Sequence, residues 1–145
     1  MFFYADEILA SHPGTSSHGE LRSDFPGGWE GDVVNAFTGE GLTARQREAQ
    51  QLVRKLLNWR KNNATIHRGK FMHFAPVKNA YVYFRYDDHN TIMVILNRDE
   101  EPVTLETARF GERVGDATHG TDVLTGKRFN IEESLVLEPR SALIL

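Results

Sequence analysis

Two adjacent carboxylates, Asp6 and Glu7, close a short apolar stretch that begins at Met1. Carboxyl groups are common acids, bases and nucleophiles of hydrolytic chemistry. On a strand, neighbouring side chains point to opposite faces, so these two could not serve one bond. A salt-bridged strand end is the alternative reading. Arg22, Asp24 and Trp29 follow in a loop. A guanidinium and a carboxylate hydrogen-bond hydroxyl groups, and an indole face stacks on a sugar ring. The same three residues also suit a loop pinned by an Arg–Asp pair over a buried tryptophan.

Other chemistry finds little to work with. The 145 residues contain no cysteine, which removes disulfides, thiolate catalysis and zinc–thiolate sites. The six histidines, His12, His18, His67, His73, His89 and His119, match no zincin or zinc-finger spacing. There is no EF-hand loop, no Gly-x-Ser-x-Gly elbow, and Gly39-Glu40-Gly41 is not a phosphate loop. No metal or cofactor is therefore expected. A net charge of −3 argues against a nucleic-acid partner. No apolar run approaches the roughly 20 residues that cross a bilayer, so no membrane partner is expected either. Asp6 and Glu7 follow the apolar start too closely for a signal peptide. The compartment stays open; the periplasm and the outside of the cell are both compatible with this composition.

Three zones must position these residues. Residues 1–42 are irregular: Met1–Leu9 reads as a short buried strand, and a Ser-, His-, Pro- and Gly-rich loop follows it. Phe25-Pro26-Gly27-Gly28-Trp29 is a tight turn between aromatics. A loop of this length is functional, or belongs to a domain that is mostly missing. Residues 43–62 form the clearest helix. Thr43 and Gln46 make a capping box, and Ala49, Leu52, Val53, Leu56 and Leu57 recur at helical spacing. From Gly69 the period changes to two. Phe71–Phe74, stopped by Pro76, is a strand. Tyr81–Tyr86 and Thr91–Leu96 form a hairpin around Asp87–Asn90. Val103–Glu106, Thr121–Leu124, Lys127–Phe129, Leu135–Leu137 and Ala142–Leu145 complete a set of short strands. The fold class is mainly β: an antiparallel sandwich preceded by one long helix.

Phe3-Tyr4-Ala5-Asp6-Glu7-Ile8-Leu9 resembles the eighth barrel strand of α-amylase-family glycoside hydrolases, usually Tyr-Gly-Asp/Thr-Glu. Ala5 stands where the family commonly has glycine. Arg22-Ser23-Asp24-Phe25-Pro26-Gly27-Gly28-Trp29 and Asn35-Ala36-Phe37-Thr38 resemble the neopullulanase/cyclomaltodextrinase-like branch. So does the helix ending in Leu56-Leu57-Asn58-Trp59-Arg60-Lys61. The resemblance implies that residues 1–64 are the last strand, loop and helix of a truncated (β/α)8 barrel. It implies that residues 65–145 are the family's β-sandwich domain C. The family's nucleophile, acid/base and transition-state carboxylates would all precede Met1. A retaining pair stands about 5–5.5 Å apart across the bond, and this chain does not supply the family's pair.

The resemblance implies an accessory, barrel-stabilising role in a parent enzyme that hydrolyses α-1,4 bonds of starch-derived dextrins. The chain alone is expected to be inactive. Its expected partners are the rest of the barrel and, in the parent, the α-glucan substrate. Because barrel active sites sit at the strand ends, Asp6, Glu7, Arg22, Asp24 and Trp29 are the candidate substrate contacts there. The alternative is a carbohydrate-binding module. Tyr81 and Tyr83 share one strand face, and Val82, Phe84 and Tyr86 share the other; core packing is the expected role of this aromatic cluster. Arg45, Arg47, Arg54, Lys55, Arg60 and Lys61 read as a solvated helix face. Asn63-Ala64-Thr65 fits the glycosylation pattern, which matters only in a secretory eukaryotic setting. Apolar groups stripped of a barrel would favour self-association.

Overall fold

A computed structural model describes residues 3–145. They form two compact units that divide between Leu57 and Asn58.

The first unit is mostly loop. Phe3–Leu9, expected as a strand, instead holds a 3-10 turn at Asp6–Ile8. A strand needs a neighbour for its backbone groups, and here those groups close locally. Ile8 N donates to Ala5 O at 3.2 Å, Leu9 N to Asp6 O at 3.0 Å and Ala10 N to Ala5 O at 3.1 Å. Met1 and Phe2, the rest of that expected strand, lie outside the described residues. Ala5 adopts φ 69°, a left-handed conformation that glycine takes without strain. A second 3-10 turn spans Glu20–Arg22. Ala5, Ile8, Ala36 and Leu42 bury together, with Phe25 and Val34 packed against them.

Helix α1 runs Ala44–Lys61, as the spacing requires. Its capping box is formed: Gln46 N donates to Thr43 Oγ1 at 3.3 Å, and Thr43 N to Gln46 Oε1 at 2.9 Å. No α1 residue is buried, and Leu52 and Leu57 of its apolar stripe are exposed. A short helix α2, Ala64–Arg68, follows. Its cap is Asn63 Oδ1, which accepts from Ile66 N at 3.1 Å.

The second unit contains β1 (Lys70–Val77), β2 (Ala80–Tyr86), β3 (Thr91–Asn97) and β8 (Ala142–Ile144) in one antiparallel sheet, ordered β1-β2-β3-β8. β4 (Val103–Glu106) pairs with β7 (Ser134–Leu137), and β5 (His119–Thr121) pairs with β6 (Arg128–Asn130). Strand alternation sends Ala80, Val82 and Phe84 of β2 inward, with Met93 and Ile95 of β3 and Leu143 of β8. They meet Val103 and Leu105 of β4 and Leu135 and Leu137 of β7. The result is the expected antiparallel sandwich. Phe110 fills the middle, edge-on to Phe74 at 4.9 Å between ring centres, with Phe84 at 5.8 Å from Phe74.

Three further local expectations change. Pro76 does not stop β1, because β1 is an edge strand and its register shifts between Phe74 and Val77. A proline at an edge bulge withholds no ladder donor. The strand expected at Thr121–Leu124 sits earlier, at His119–Thr121, because Asp122 makes a turn. Its Oδ2 accepts from Thr125 N at 2.9 Å and Thr125 Oγ1 at 2.6 Å. Thr107–Phe110 and α3, Gly111–Val114, are helical where no helical period is visible. Their role is to deliver Phe110 to the core.

Phe84 is fully buried. Phe84→Ala is expected to cost about 3–5 kcal/mol of unfolding free energy, read from urea denaturation. A second expectation concerns Asp87, in the β2–β3 turn. Its carboxylate accepts from Thr65 Oγ1 at 2.6 Å, and from His89 N at 2.9 Å and Asn90 N at 2.8 Å. The Thr65 hydroxyl first, and then those two amides, hold its pKa below the ordinary 3.8. A depressed carboxylate contributes stability above its unfolded pKa, and loses it as pH falls through the lower folded value. The denaturation midpoint should therefore fall as pH drops below 3.8, and Asp87→Asn should flatten that fall.

Candidate functional site

The first unit holds a cavity of about 420 Å³ lined by Tyr4, Asp6, His12, Ser23, Asp24 and Val34, among others. Two of the five expected contact residues, Asp6 and Asp24, therefore meet in one place. Asp6 Oδ2 accepts from Phe3 N at 2.8 Å, which fixes its carboxylate on the 3-10 turn. His12 Nε2 lies 2.8 Å from Ser23 Oγ, and the Tyr4 hydroxyl donates to Ser23 O. This wall offers hydroxyl, imidazole and carboxylate groups, a set suited to hydrogen-bonding a polyhydroxylated ligand.

Glu7, Arg22 and Trp29 do not line that cavity. Glu7 keeps one carboxylate oxygen buried without a partner. The expected Arg22–Asp24 pair is not formed: Arg22 donates to His18 O at 3.0 Å. Trp29 is not buried but 65% exposed. Two other residues pin the loop. Asp32 Oδ2 accepts from Gly27 N at 2.7 Å and Trp29 N at 3.1 Å. Asn35 Oδ1 accepts from Phe37 N at 2.9 Å and Thr38 N at 3.1 Å. Asp and Asn in these roles follow ordinary turn chemistry, so the signal was present but indistinct among many loop polar residues. His12 and Ser23 carried no signal, being eleven residues apart in a loop.

The second unit has an aromatic row on the outer face of its sheet. His73 pairs with Tyr83 and Phe71 with Arg85 in the β1–β2 register. Phe71 and Tyr83 stand 5.7 Å apart, His73 and Tyr81 6.0 Å, and Tyr81 and Tyr83 5.8 Å. Phe84 is core, as expected of the cluster, whereas Tyr81 and Tyr83 face outward and are half-buried. Burial first, and then Tyr81, raise the Tyr83 pKa above 10.0, while Arg60 and Arg85 pull it down. Of Asn63-Ala64-Thr65, the asparagine side chain caps α2 and Thr65 is buried. Among the described residues no group of three or more His, Asp or Glu is placed to hold a metal ion. No described helix is long and apolar enough to cross a membrane.

Residues 71–145 match a family profile described as the cyclo-malto-dextrinase C-terminal domain. The chain belongs to this family. Solved structures share its fold. AmyP, solved with maltose, has TM-score 0.62 and 20% identity over 73% of this chain and 22% of its own. The trehalulose synthase MutB from Pseudomonas mesoacidophila MX-45 has TM-score 0.53 and 20% identity, over 66% of this chain and 17% of its own. The Nostoc punctiforme debranching enzyme has TM-score 0.52 and 17% identity, over 68% and 20%. The chain spans about a fifth of the length of each of these three proteins. The stretch matched to the family is the sandwich itself, with its outer aromatic row. Asp6, Glu7, Arg22, Asp24 and Trp29 all precede the match.

The loop before α1 depends on close approaches at Gly27 and Gly41. Gly27 has φ 100°, and a Cβ there would lie 2.6–2.9 Å from Asn35 atoms, backbone included. Gly27→Ala should destabilise the first unit by roughly 1–3 kcal/mol. Limited proteolysis should then cut within residues 11–42 sooner than in the parent sequence.

Proposed function

We propose that this chain is the C-terminal accessory region of an α-glucan glycoside hydrolase, structural in role and without catalytic carboxylates of its own. The observation that carries this reading is the match of residues 71–145 to the cyclo-malto-dextrinase C-terminal domain. On it, residues 65–145 are the sandwich domain and residues 1–64 the end of a (β/α)8 barrel. The exposed apolar groups support the barrel assignment. Leu52 and Leu57 on α1, with Phe3, Trp29 and Phe37 before it, are exposed. A barrel would cover such groups, and self-association would cover them in its absence. A barrel would also offer Phe3–Leu9 the neighbouring strands it lacks here. In the parent, Asp6 and Asp24 sit at the α-glucan cleft, joined by Glu7, Arg22 and Trp29 as the cleft walls close around them.

A second reading has its own observation. The outward row of Phe71, His73, Tyr81 and Tyr83 is a surface on which sugar rings could stack, as in a carbohydrate-binding sandwich.

One titration separates the two. Maltoheptaose and β-cyclodextrin are added to the purified chain in a calorimeter, with a reducing-sugar assay run on the same mixtures. No heat and no new reducing ends are expected of a structural accessory region. Saturable heat without turnover, abolished by Tyr83→Ala, would favour the binding module. New reducing ends released by the purified chain would sink both.

A further inference from the structure

The second unit contains a cavity whose chemistry differs from a sugar platform. It measures about 400 Å³ and is lined by Arg60, Ile66, His67, Phe71, Tyr83 and Arg85. Arg60 comes from the last turn of α1, Ile66 and His67 from α2, Phe71 from β1, and Tyr83 and Arg85 from β2. Strand alternation puts Tyr83 and Arg85 on one face, and the register sets Phe71 beside Arg85. Two guanidiniums and one imidazole therefore converge, and no aspartate or glutamate lines the space.

Among the described residues the two guanidiniums have no carboxylate counter-charge. Neither is paired with a carboxylate within 4.0 Å among the described residues, where Arg113–Glu112 and Arg140–Glu100 are ion pairs. Arg85 is anchored on one side, donating from one terminal nitrogen to Ile66 O at 2.8 Å. Its Nε is buried and without a partner. A buried charged donor left unpaired is costly, and two cations converging on one space without a counter-charge repel. An oxyanion relieves both. The guanidinium fork is shaped for phosphate and carboxylate, with two parallel N–H donors. The remaining walls suit the body of such a ligand: Phe71 offers a ring face and is 53% exposed, and Tyr83 offers a hydroxyl donor.

We propose that this cavity is a binding site for a small organic oxyanion, a phosphate monoester or a carboxylate, held between Arg60 and Arg85 with its body against Phe71. The site does not depend on the accessory-region reading, since every lining residue is in this chain. It differs from the neutral α-glucan surface by requiring charge on the ligand.

The test is a titration of the intact chain, followed by amide chemical shifts, at constant ionic strength. The probes are glucose 1-phosphate, glucuronate and uncharged glucose. Glucose 1-phosphate or glucuronate should give saturable shifts around α2, Phe71 and Tyr83, and glucose should give none; which anion binds more tightly distinguishes phosphate from carboxylate. Arg60 is exposed at the rim, so Arg60→Gln should leave the thermal transition unchanged while weakening the anion about tenfold. Arg85→Gln should weaken it at least as much. The proposal is overturned if neither anion gives a saturable response up to about 10 mM, a limit set by weak single-site affinity. Equal binding of glucose, or unchanged affinity in Arg60→Gln, would overturn it as well.

Discussion

A β-sheet that turns one row of large apolar side chains to one face folds stably only when that face is covered. In this protein the row is Ala80, Val82 and Phe84, flanked by Met93, Ile95 and Leu143. The cover is the β4–β7 pair, and between the layers lies Phe110. At roughly 25 cal/mol per Å² of apolar surface, this burial is the dominant favourable contribution to the second unit. Much of the irregular chain between strands is arranged to serve it. The helical segment Thr107–Val114 exists to bring Phe110 inward. Asn97, buried at the end of β3, donates to Glu101 O at 3.1 Å and Glu138 O at 2.8 Å. One amide thereby ties the strand end to two loops.

Polar groups fix the turns that the core alone leaves free. Asp87 and Asp122 both act as turn acceptors. Burial alone would raise the Asp122 pKa, but donation from the Thr125 hydroxyl and from the amides of Leu124, Thr125 and Ile144 outweighs it and holds it below 3.8. In the first unit the same device recurs with little core beneath it. Asp32 and Asn35 gather the backbone of Gly27–Thr38, while the buried cluster amounts to Ala5, Ile8, Ala36 and Leu42 with Phe25 and Val34 against it. Hydrogen bonds shape this unit more than burial does, which leaves Phe3, Trp29 and Phe37 in water.

The outer sheet face follows from the same alternation that builds the core. Because Val82 and Phe84 must point in, Tyr81, Tyr83 and Arg85 must point out. A residue row selected for one face thus creates a second surface on the other. That surface is aromatic along β1 and β2 and basic where α2 and the end of α1 meet it. Phe71 and Tyr83 belong to both the aromatic row and the basic end of that face.

Periodicity and caps were legible in the residues alone. Thr43 and Gln46 announce α1, the change of period at Gly69 announces the sheet, and the run around Asp87–Asn90 announces a hairpin. These depend on contacts a few residues apart, or on which face a side chain takes, and neither needs the rest of the fold. The tertiary structure decided what depends on distant partners. Phe3–Leu9 has strand-like residues but gains no neighbouring strand among the described residues, so its backbone closes on itself in a 3-10 turn. Pro76 could stay within β1 only because that strand lies at an edge. Asp6 and Asp24 share a cavity, while Arg22 turns to His18 O. Arg60, His67 and Arg85 converge because sheet register and helix packing bring together positions up to 25 residues apart, which no local pattern records.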